Sequence, residues 1–466
     1  MSDYDFDLLV LGGGSGGVAA ARRAAEYGAK VAVCEDSEWG GTCVNRGCVP
    51  KKLFLYAADF GRASALMPAY GWDPGSPSFD WSQLVENVTR ELARLRGFYD
   101  RALSGNQVTQ ISGTGMVTGP HTVEVKGETY TSERILLAVG GKPWVPHNIE
   151  GHELAITSDE VFWLSEFPRR ILVVGSGYIG TEFACIFNGL GAEVTQSFRS
   201  QEVLPGFDSD IRTHLTEEME KQGVRFMSGD KPVKIERVSG GLRVTMDQGG
   251  LLEVDQVLLA TGRVPRTEGI GLREVGVELG DGHKVVVDRG FKSSVDSIYA
   301  VGDCIRRYEL TPVAIAEGRA LAEHFFNGKD LDFSYPCVPT AVFTSPPVGT
   351  VGWTEQELRD RGARFDIYRT RFRPMKYTLP DKQNKATLKL LVDPATDKLL
   401  GCHLLGPDTP ELIQLMGALL MAGATKAHLD STFAVHPTLS EELVLFRNPS
   451  ETVEGDNPAP HSLREE

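Results

Sequence analysis

Two cysteines five positions apart stand in the stretch Cys43-Val44-Asn45-Arg46-Gly47-Cys48, with Val49-Pro50-Lys51-Lys52 directly after it. The segment reads as the start of a helix. Its two thiols can bridge only if the chain bends between them, and Gly47 permits such a bend. A helix N-terminus and nearby cations lower thiol pKa values and make thiols reactive. A zinc site would need a second pair of ligands. The sequence has no other close Cys/Cys or Cys/His cluster, so no metal is expected. Unreactive buried thiols are the bland alternative.

Two glycine fingerprints give the dithiol its context. Gly12-x-Gly14-x-x-Gly17 follows an apolar run, and Glu35 closes the next one. Such glycines allow a tight turn and let backbone amides approach a pyrophosphate at a helix N-terminus, while the acid accepts a hydrogen bond from a ribose hydroxyl. A glycine-rich turn alone would be weak, but strand, helix, second strand and acid all follow in order. The second fingerprint is Gly175-x-Gly177-x-x-Gly180. Its strand end carries no acid and reads Gln196-Ser197-Phe198-Arg199. An Arg there suits a 2′-phosphate, so this site leans to NADP, with a plain surface Arg as the alternative. Between two dinucleotide sites, the cysteine pair reads as a dithiol beside a flavin.

A fourth stretch, Phe433-Ala434-Val435-His436-Pro437-Thr438, is followed by Glu441 and Glu442. A His that moves a proton needs a carboxylate to hold its tautomer. Glu441 could fold back as that partner if a helix starts after Pro437. On spacing alone, a structural His is the better reading.

The elements that position these residues read as an α/β chain. Residues 7–11, 18–28 and 30–35 form a strand–helix–strand unit, and residues 169–175, 181–191 and 192–198 repeat it about 163 positions later. A mostly helical stretch runs to about residue 104, and a β-rich section covers 117–141. The runs 256–265 and 298–304 are strands ending near glycines. From about residue 336 the pattern changes to strands with Pro-rich turns and a helix at 410–423. Residues 451–466 are polar and Pro-containing and read as a frayed tail.

With 466 residues the chain suggests about three domains. It carries 48 Lys and Arg against 63 Asp and Glu, a net charge of -15. That balance argues against nucleic-acid and anionic-membrane partners, although local anion sites remain open. No uncharged apolar run approaches the roughly 18 residues of a membrane helix. Seven thinly spread cysteines are no secreted disulfide scaffold, and the acidic start lacks the features of a signal peptide. A cytoplasmic, reducing compartment is the default.

GGTCVNRGCVPKK, GSGYIGTEF, ATGRVPRT, YAVGDC, LTPVAIAEGRA and HPTLSEE together resemble glutathione reductases, within the class I flavin-dependent pyridine nucleotide–disulfide oxidoreductases. The match runs from about residue 5 to 450. The resemblance implies two Rossmann-like dinucleotide-binding domains plus a C-terminal α+β dimerisation domain. Its bounds are 1–143 and 264–335 for the FAD-binding and central parts, 144–263 for the NADPH-binding domain, and 336–466 for dimerisation. It implies tightly bound FAD, NADPH, a homodimer with shared active sites, and reduction of glutathione disulfide.

By the same resemblance, Cys48 faces the flavin and Cys43 is the interchange thiol. His436, from the other subunit, is the acid/base, and Glu441 orients it. Lys51 lies near the flavin and pairs with Glu182. Thr42, Asp303 and Thr311 match flavin-contacting positions. Tyr178 matches a lid between nicotinamide and flavin, and Gly262 belongs to the coenzyme site. Ser15, Arg22, Tyr99 and Arg319 fall at substrate positions, where an Arg fork suits the carboxylates of glutathione. The dithiol motif ends in Pro50-Lys51-Lys52 rather than the Pro-Ser-Lys of dihydrolipoamide dehydrogenases. No cysteine follows Cys402, unlike mercuric and large thioredoxin reductases, and Arg22 and Arg319 separate the chain from trypanothione reductases.

Two departures bear on the coenzyme. Pro205 stands where many NADPH-using relatives carry a second Arg, and Gly180 where many carry Ala. A modified glutathione or related small disulfide, with relaxed NADPH/NADH preference, is the nearest alternative substrate class. A non-catalytic flavoprotein binding module is the alternative from another class.

Overall fold

The protein is described by a computed structural model covering residues 3–460. The first apolar run forms the strand Phe6–Leu11, buried along most of its length because it lies inside a mainly parallel sheet covered on both faces. The order of that sheet is Thr109–Ser112, Val31–Glu35, Phe6–Leu11, Glu128–Leu137, Thr122–Val125 and Met116–Gly119, and Ile298–Ala300 also pairs with Glu128–Leu137. The helix Ser15–Glu26 links the first two strands. It starts three residues before the expected 18, because the fingerprint glycines form its first turn. A Cβ on Gly17 would lie 2.0 Å from the carbonyl oxygen of Gly12, so no larger residue fits this helix–strand approach.

The second unit repeats the pattern. Arg225–Ser228, Glu193–Phe198, Arg170–Val174 and Gln256–Leu259 form a parallel sheet, with the helix Tyr178–Gly189 after the fingerprint. An antiparallel sheet of Pro232–Val238, Gly241–Met246 and Leu251–Val254 packs beside it around Leu172, Val244 and Leu259. The chain enters this unit after Gly141–Pro143 and leaves it at Arg263–Pro265, and these two crossings pair antiparallel with each other. The return brings Ile298–Ala300 back to the first sheet and adds the helix Thr311–Asn327, which packs closely along Ser15–Glu26. There a Cβ on Gly318 would sit 2.5 Å from Gly16 O.

The last unit is a six-stranded antiparallel sheet ordered Thr340–Val342, Val348–Gly352, Leu399–Leu405, Ala386–Val392, Phe365–Phe372 and Glu451–Val453, with the helix Thr409–Met421 against it. The expectation of a frayed 451–466 tail is corrected over its described part. Glu451–Val453 pairs with Phe365–Ile367, Asn457 N donates to Gly362 O, and Ala459 is buried. An unpaired sheet edge and a small apolar cluster with Phe365 hold a segment whose polar composition suggested no structure. Residues 461–466 of that tail lie outside the described residues.

Candidate active site

Cys43 lies in the short helix Gly41–Arg46, and Cys48 opens the helix Cys48–Ser64. Gly47 makes the break between them, and a Cβ there would approach Thr42 O to 2.9 Å. Asn45, unmarked by sequence reasoning, sets this turn. It is buried, and its Nδ2 donates to Glu38 O and Trp39 O at 3.1 Å and to Gly41 O at 3.0 Å. A lone Asn between two cysteines was the only signal for it.

Both cysteines are free thiols in this structure. Cys48 is the one that ionises first. The Cys43 thiol donates to it and pulls its pKa well below a free thiol's, burial opposes that, and the Thr311 hydroxyl and the Lys51 charge add to the lowering. Cys43 is pushed up by the same shared hydrogen bond and by burial. The reduced pair therefore holds one proton on Cys43 and a thiolate on Cys48. Thr311 Oγ1 lies 3.8 Å from Cys48 Sγ and is the first residue of its 17-residue helix, so the positive end of that helix also faces the thiolate.

Lys51, one turn after Cys48, is pinned by Glu182. Its Nζ donates to Glu182 Oε1 at 2.8 Å, and the same oxygen accepts Phe343 N at 2.8 Å. Lys51 and Lys52 both sit about 4 Å over the Phe343 ring. One buried carboxylate thus ties together the dithiol helix, the second fingerprint helix and the C-terminal sheet.

Gly12, Gly14, Glu35 and Thr42 line one cleft, together with Thr114, Ala138 and Arg266. Glu35 already accepts Gly13 N at 2.7 Å and Ser37 N at 2.9 Å, and burial raises its pKa. Its carboxylate is thus oriented at the cleft wall with lone pairs to spare. A Cβ on Gly14 would find only Gly41 Cα within 4 Å, at 3.7 Å, and one on Gly177 would meet nothing. Both have ordinary extended backbone angles. Neither packing nor conformation demands glycine there, whereas the close approach of a dinucleotide pyrophosphate does. The residues present therefore fit two dinucleotides.

Burial raises the Asp303 carboxyl against the opposing charge of Arg263. Its neighbour Gly302 is held by a residue the sequence reading passed over. Glu317, fully buried, accepts Gly302 N at 2.6 Å and the Tyr335 hydroxyl at 2.5 Å. Glu317 lies inside LTPVAIAEGRA, where an acid amid apolar residues was the available signal. Tyr178 opens its helix with its phenol raised by burial and lowered by Arg263. Gly262 adjoins the crossing strands, where its carbonyl accepts Trp144 N.

Arg199 is exposed directly past Glu193–Phe198, and Pro205 is exposed six residues on. Gln196, in the strand, donates to Gly175 O at 2.8 Å. Among the substrate candidates, Tyr99 is raised by burial and by Cys43 and lowered by the Arg22 charge, which groups the three residues. The buried Arg22 Nε has no protein partner. Ser15 opens the first fingerprint helix, and Arg319 is exposed on Thr311–Asn327.

His436 and Glu441 meet each other at 2.9 Å, Nδ1 to Oε2, and a helix does start at Glu441. Among the described residues, neither shares a hydrogen bond or ion pair with Cys43 or Cys48 of its own chain. Residues 431–438 are all exposed, including Phe433 at 97% and Val435 at 70%. An apolar, open stretch carrying an oriented His fits a surface that another subunit covers.

A redox dithiol between two dinucleotide folds defines a class of flavin-linked disulfide reductases. The family model described as pyridine nucleotide-disulphide oxidoreductase matches residues 6–318, and the one for that family's dimerisation domain matches residues 338–446. A glutathione reductase from Burkholderia cepacia is 45% identical over 96% of this chain and all of its own length. One from Nostoc sp. (strain PCC 7120) is 43% identical over 95% of the chain and all of its own. A chloroplastic/mitochondrial glutathione reductase from Pisum sativum is 41% identical over 97% of the chain and 84% of its own. The chain belongs to the pyridine nucleotide-disulphide oxidoreductases and, within them, to the glutathione reductase family.

Proposed function

We propose that the protein is a homodimeric flavoenzyme that reduces glutathione disulfide to two glutathiones with NADPH. The observation that carries this reading is the Cys43–Cys48 pair, joined through Lys51 and Glu182 to the second fingerprint helix and polarised so that the thiolate rests on Cys48. FAD, held by Gly12, Gly14, Glu35, Thr42 and Asp303, would supply the two-electron link between NADPH and the dithiol.

The chain's own groups then carry the exchange. Cys43, deprotonated as His436 of the partner subunit takes its proton, attacks one sulfur of glutathione disulfide. A mixed disulfide forms, and the first glutathione leaves as a thiolate that recovers the proton from that His. The Cys48 thiolate attacks Cys43, the second glutathione leaves as a thiolate, and the Cys43–Cys48 disulfide closes. Glu441 holds the imidazole through Nδ1, leaving Nε2 for the proton transfer. Arg22, Arg319, Ser15 and Tyr99 hold the substrate, with Arg22 offering an unpaired donor to a carboxylate.

Residues 1–143 and 264–335 form the FAD-binding and central part, 144–263 the NADPH-binding domain, and 336–466 the dimerisation domain. The strand pairing within each sheet supports these bounds. No described helix is long and apolar enough to cross a membrane. The seven thinly spread cysteines support a cytoplasmic, reducing location. Steady-state turnover with NADPH and NADH against a panel of disulfides tests the whole reading. Preferential turnover of any other disulfide would replace the substrate.

A further inference from the structure

Lys389 is fully buried in the strand Ala386–Val392 of the C-terminal sheet. Its Nζ lies 2.9 Å from Asp208 Oδ1, 2.8 Å from Asp210 Oδ2 and 2.5 Å from Glu355 Oε2. Asp208, also fully buried, caps the helix Ser209–Lys221 by accepting Asp210 N, and its other oxygen accepts Glu355 N at 3.2 Å. Arg369 reaches Asp210 at 3.3 Å, and Arg359 reaches Glu355 at 2.7 Å. The buried His403 lies beside the cluster, bonded to Thr350 Oγ1 and Trp353 O. The disulfide exchange uses none of these groups.

A buried ion cluster is a weak source of stability, since apolar residues of similar volume often serve as well. It does impose one geometry, and here that geometry leads to the coenzyme site. The capped helix holds the loop before it: Arg212 Nε donates to Val203 O at 3.2 Å, and Thr213 Oγ1 donates to Glu202 Oε1 at 2.5 Å. The loop is in turn bound to the second glycine turn. Leu204 N donates to Ser176 O at 2.7 Å, and Ser200 Oγ donates to Ser176 Oγ at 3.2 Å. Arg199 stands at the head of this loop.

We infer that Lys389 is a positioning residue for coenzyme selection: through Asp208 and Asp210 it anchors, from the C-terminal sheet, the helix and loop that aim Arg199. The inference rests on the NADPH reading above. His214 to Thr387 at 2.9 Å and Arg371 to Glu217 at 2.5 Å keep the helix docked independently, so the fold does not hang on Lys389 alone.

The test compares FAD-loaded wild type, Lys389→Met and the milder Asp210→Asn, each with NADPH and with NADH, and with thermal unfolding recorded for each. The expected result is a KM for NADPH raised about two- to thirty-fold, the range of such relayed couplings. The KM for glutathione disulfide and kcat should stay unchanged, and the NADPH-to-NADH ratio of kcat/KM should fall. Asp210→Asn keeps the result decisive if Lys389→Met fails to fold. An unchanged KM for NADPH, or equal loss with both coenzymes, overturns the inference. Failure of wild type to oxidise NADPH with glutathione disulfide overturns instead the reading on which it rests.

Discussion

Lys51 and Glu182 meet at 2.8 Å although 131 positions separate them in the chain. Both side chains are largely buried, and each is the charge partner of the other. The pair joins the helix opened by Cys48 to the helix opened by Tyr178. Its two charges act on Cys48 with opposite signs: Lys51 lowers the thiol pKa and Glu182 raises it.

Opposite substitutions should therefore move the dithiol in opposite directions. Lys51→Met should shift ionisation of Cys48 to higher pH and reduce the thiolate at neutral pH, and Glu182→Gln should shift it to lower pH. Mass spectrometry of the alkylated Cys48 peptide across a pH series of reduced enzyme reads this directly. Parallel shifts in the two variants would contradict the assignment.

Cys43 and Cys48 should both be required. Either Cys→Ser variant should lose turnover of glutathione disulfide, while Cys43→Ser should still oxidise NADPH with an artificial electron acceptor. Full disulfide turnover by either single variant would sink the dithiol mechanism.

His436→Ala should lose about 10²–10⁴-fold in turnover, the usual contribution of a general acid/base. Heterodimers pairing a His436→Ala subunit with a Cys43→Ser subunit should regain activity, because one of their two composite sites is intact. Heterodimers shown to form yet remaining inactive would rule out shared sites.

NADPH should be preferred over NADH, but less strongly than in relatives with two arginines. In the proposed site Arg199 would supply one charged contact to the 2′-phosphate, of about 1.5–3 kcal/mol or roughly ten- to a hundred-fold. Pro205 supplies none. Arg199→Ala should bring the two coenzymes near parity, and Pro205→Arg should sharpen selectivity. The ratio of kcat/KM values decides, and a wild type that favours NADH would refute this account of the pocket.

Asn45→Ala should leave the turn before Cys48 without its internal donor. Three carbonyls lose a partner, and an unsatisfied buried group costs about 1–3 kcal/mol. Thermal unfolding of the holoenzyme should show the loss, with slower disulfide turnover as the dithiol geometry loosens. An unchanged melting temperature would show that water replaces the amide without cost.

Local pattern carried much of this protein. Glycine spacing followed by apolar runs announced both dinucleotide folds, because a turn of that kind tolerates few other residues. The dithiol and its bend were legible for the same reason. Helix starts were misread by three residues at Ser15 and Tyr178, where fingerprint glycines, poor helix formers in isolation, are recruited into the first turn. The tail at 451–460 was misread because its order comes from a sheet edge some 85 residues away.

The types and spacing of residues thus determined by themselves the class of chemistry, the two nucleotide folds and the reactive pair, since each depends on contacts within a short span of chain. Only the tertiary structure decided which thiol holds the charge, that Glu317 and Asn45 brace the site, and that Phe343 joins the expected Lys51–Glu182 pair. It also decided that a buried lysine ties the coenzyme loop to the C-terminal sheet. Those outcomes depend on distance and burial between segments far apart in the chain, where the strength of a charge or hydrogen bond is set by what else has been packed around it.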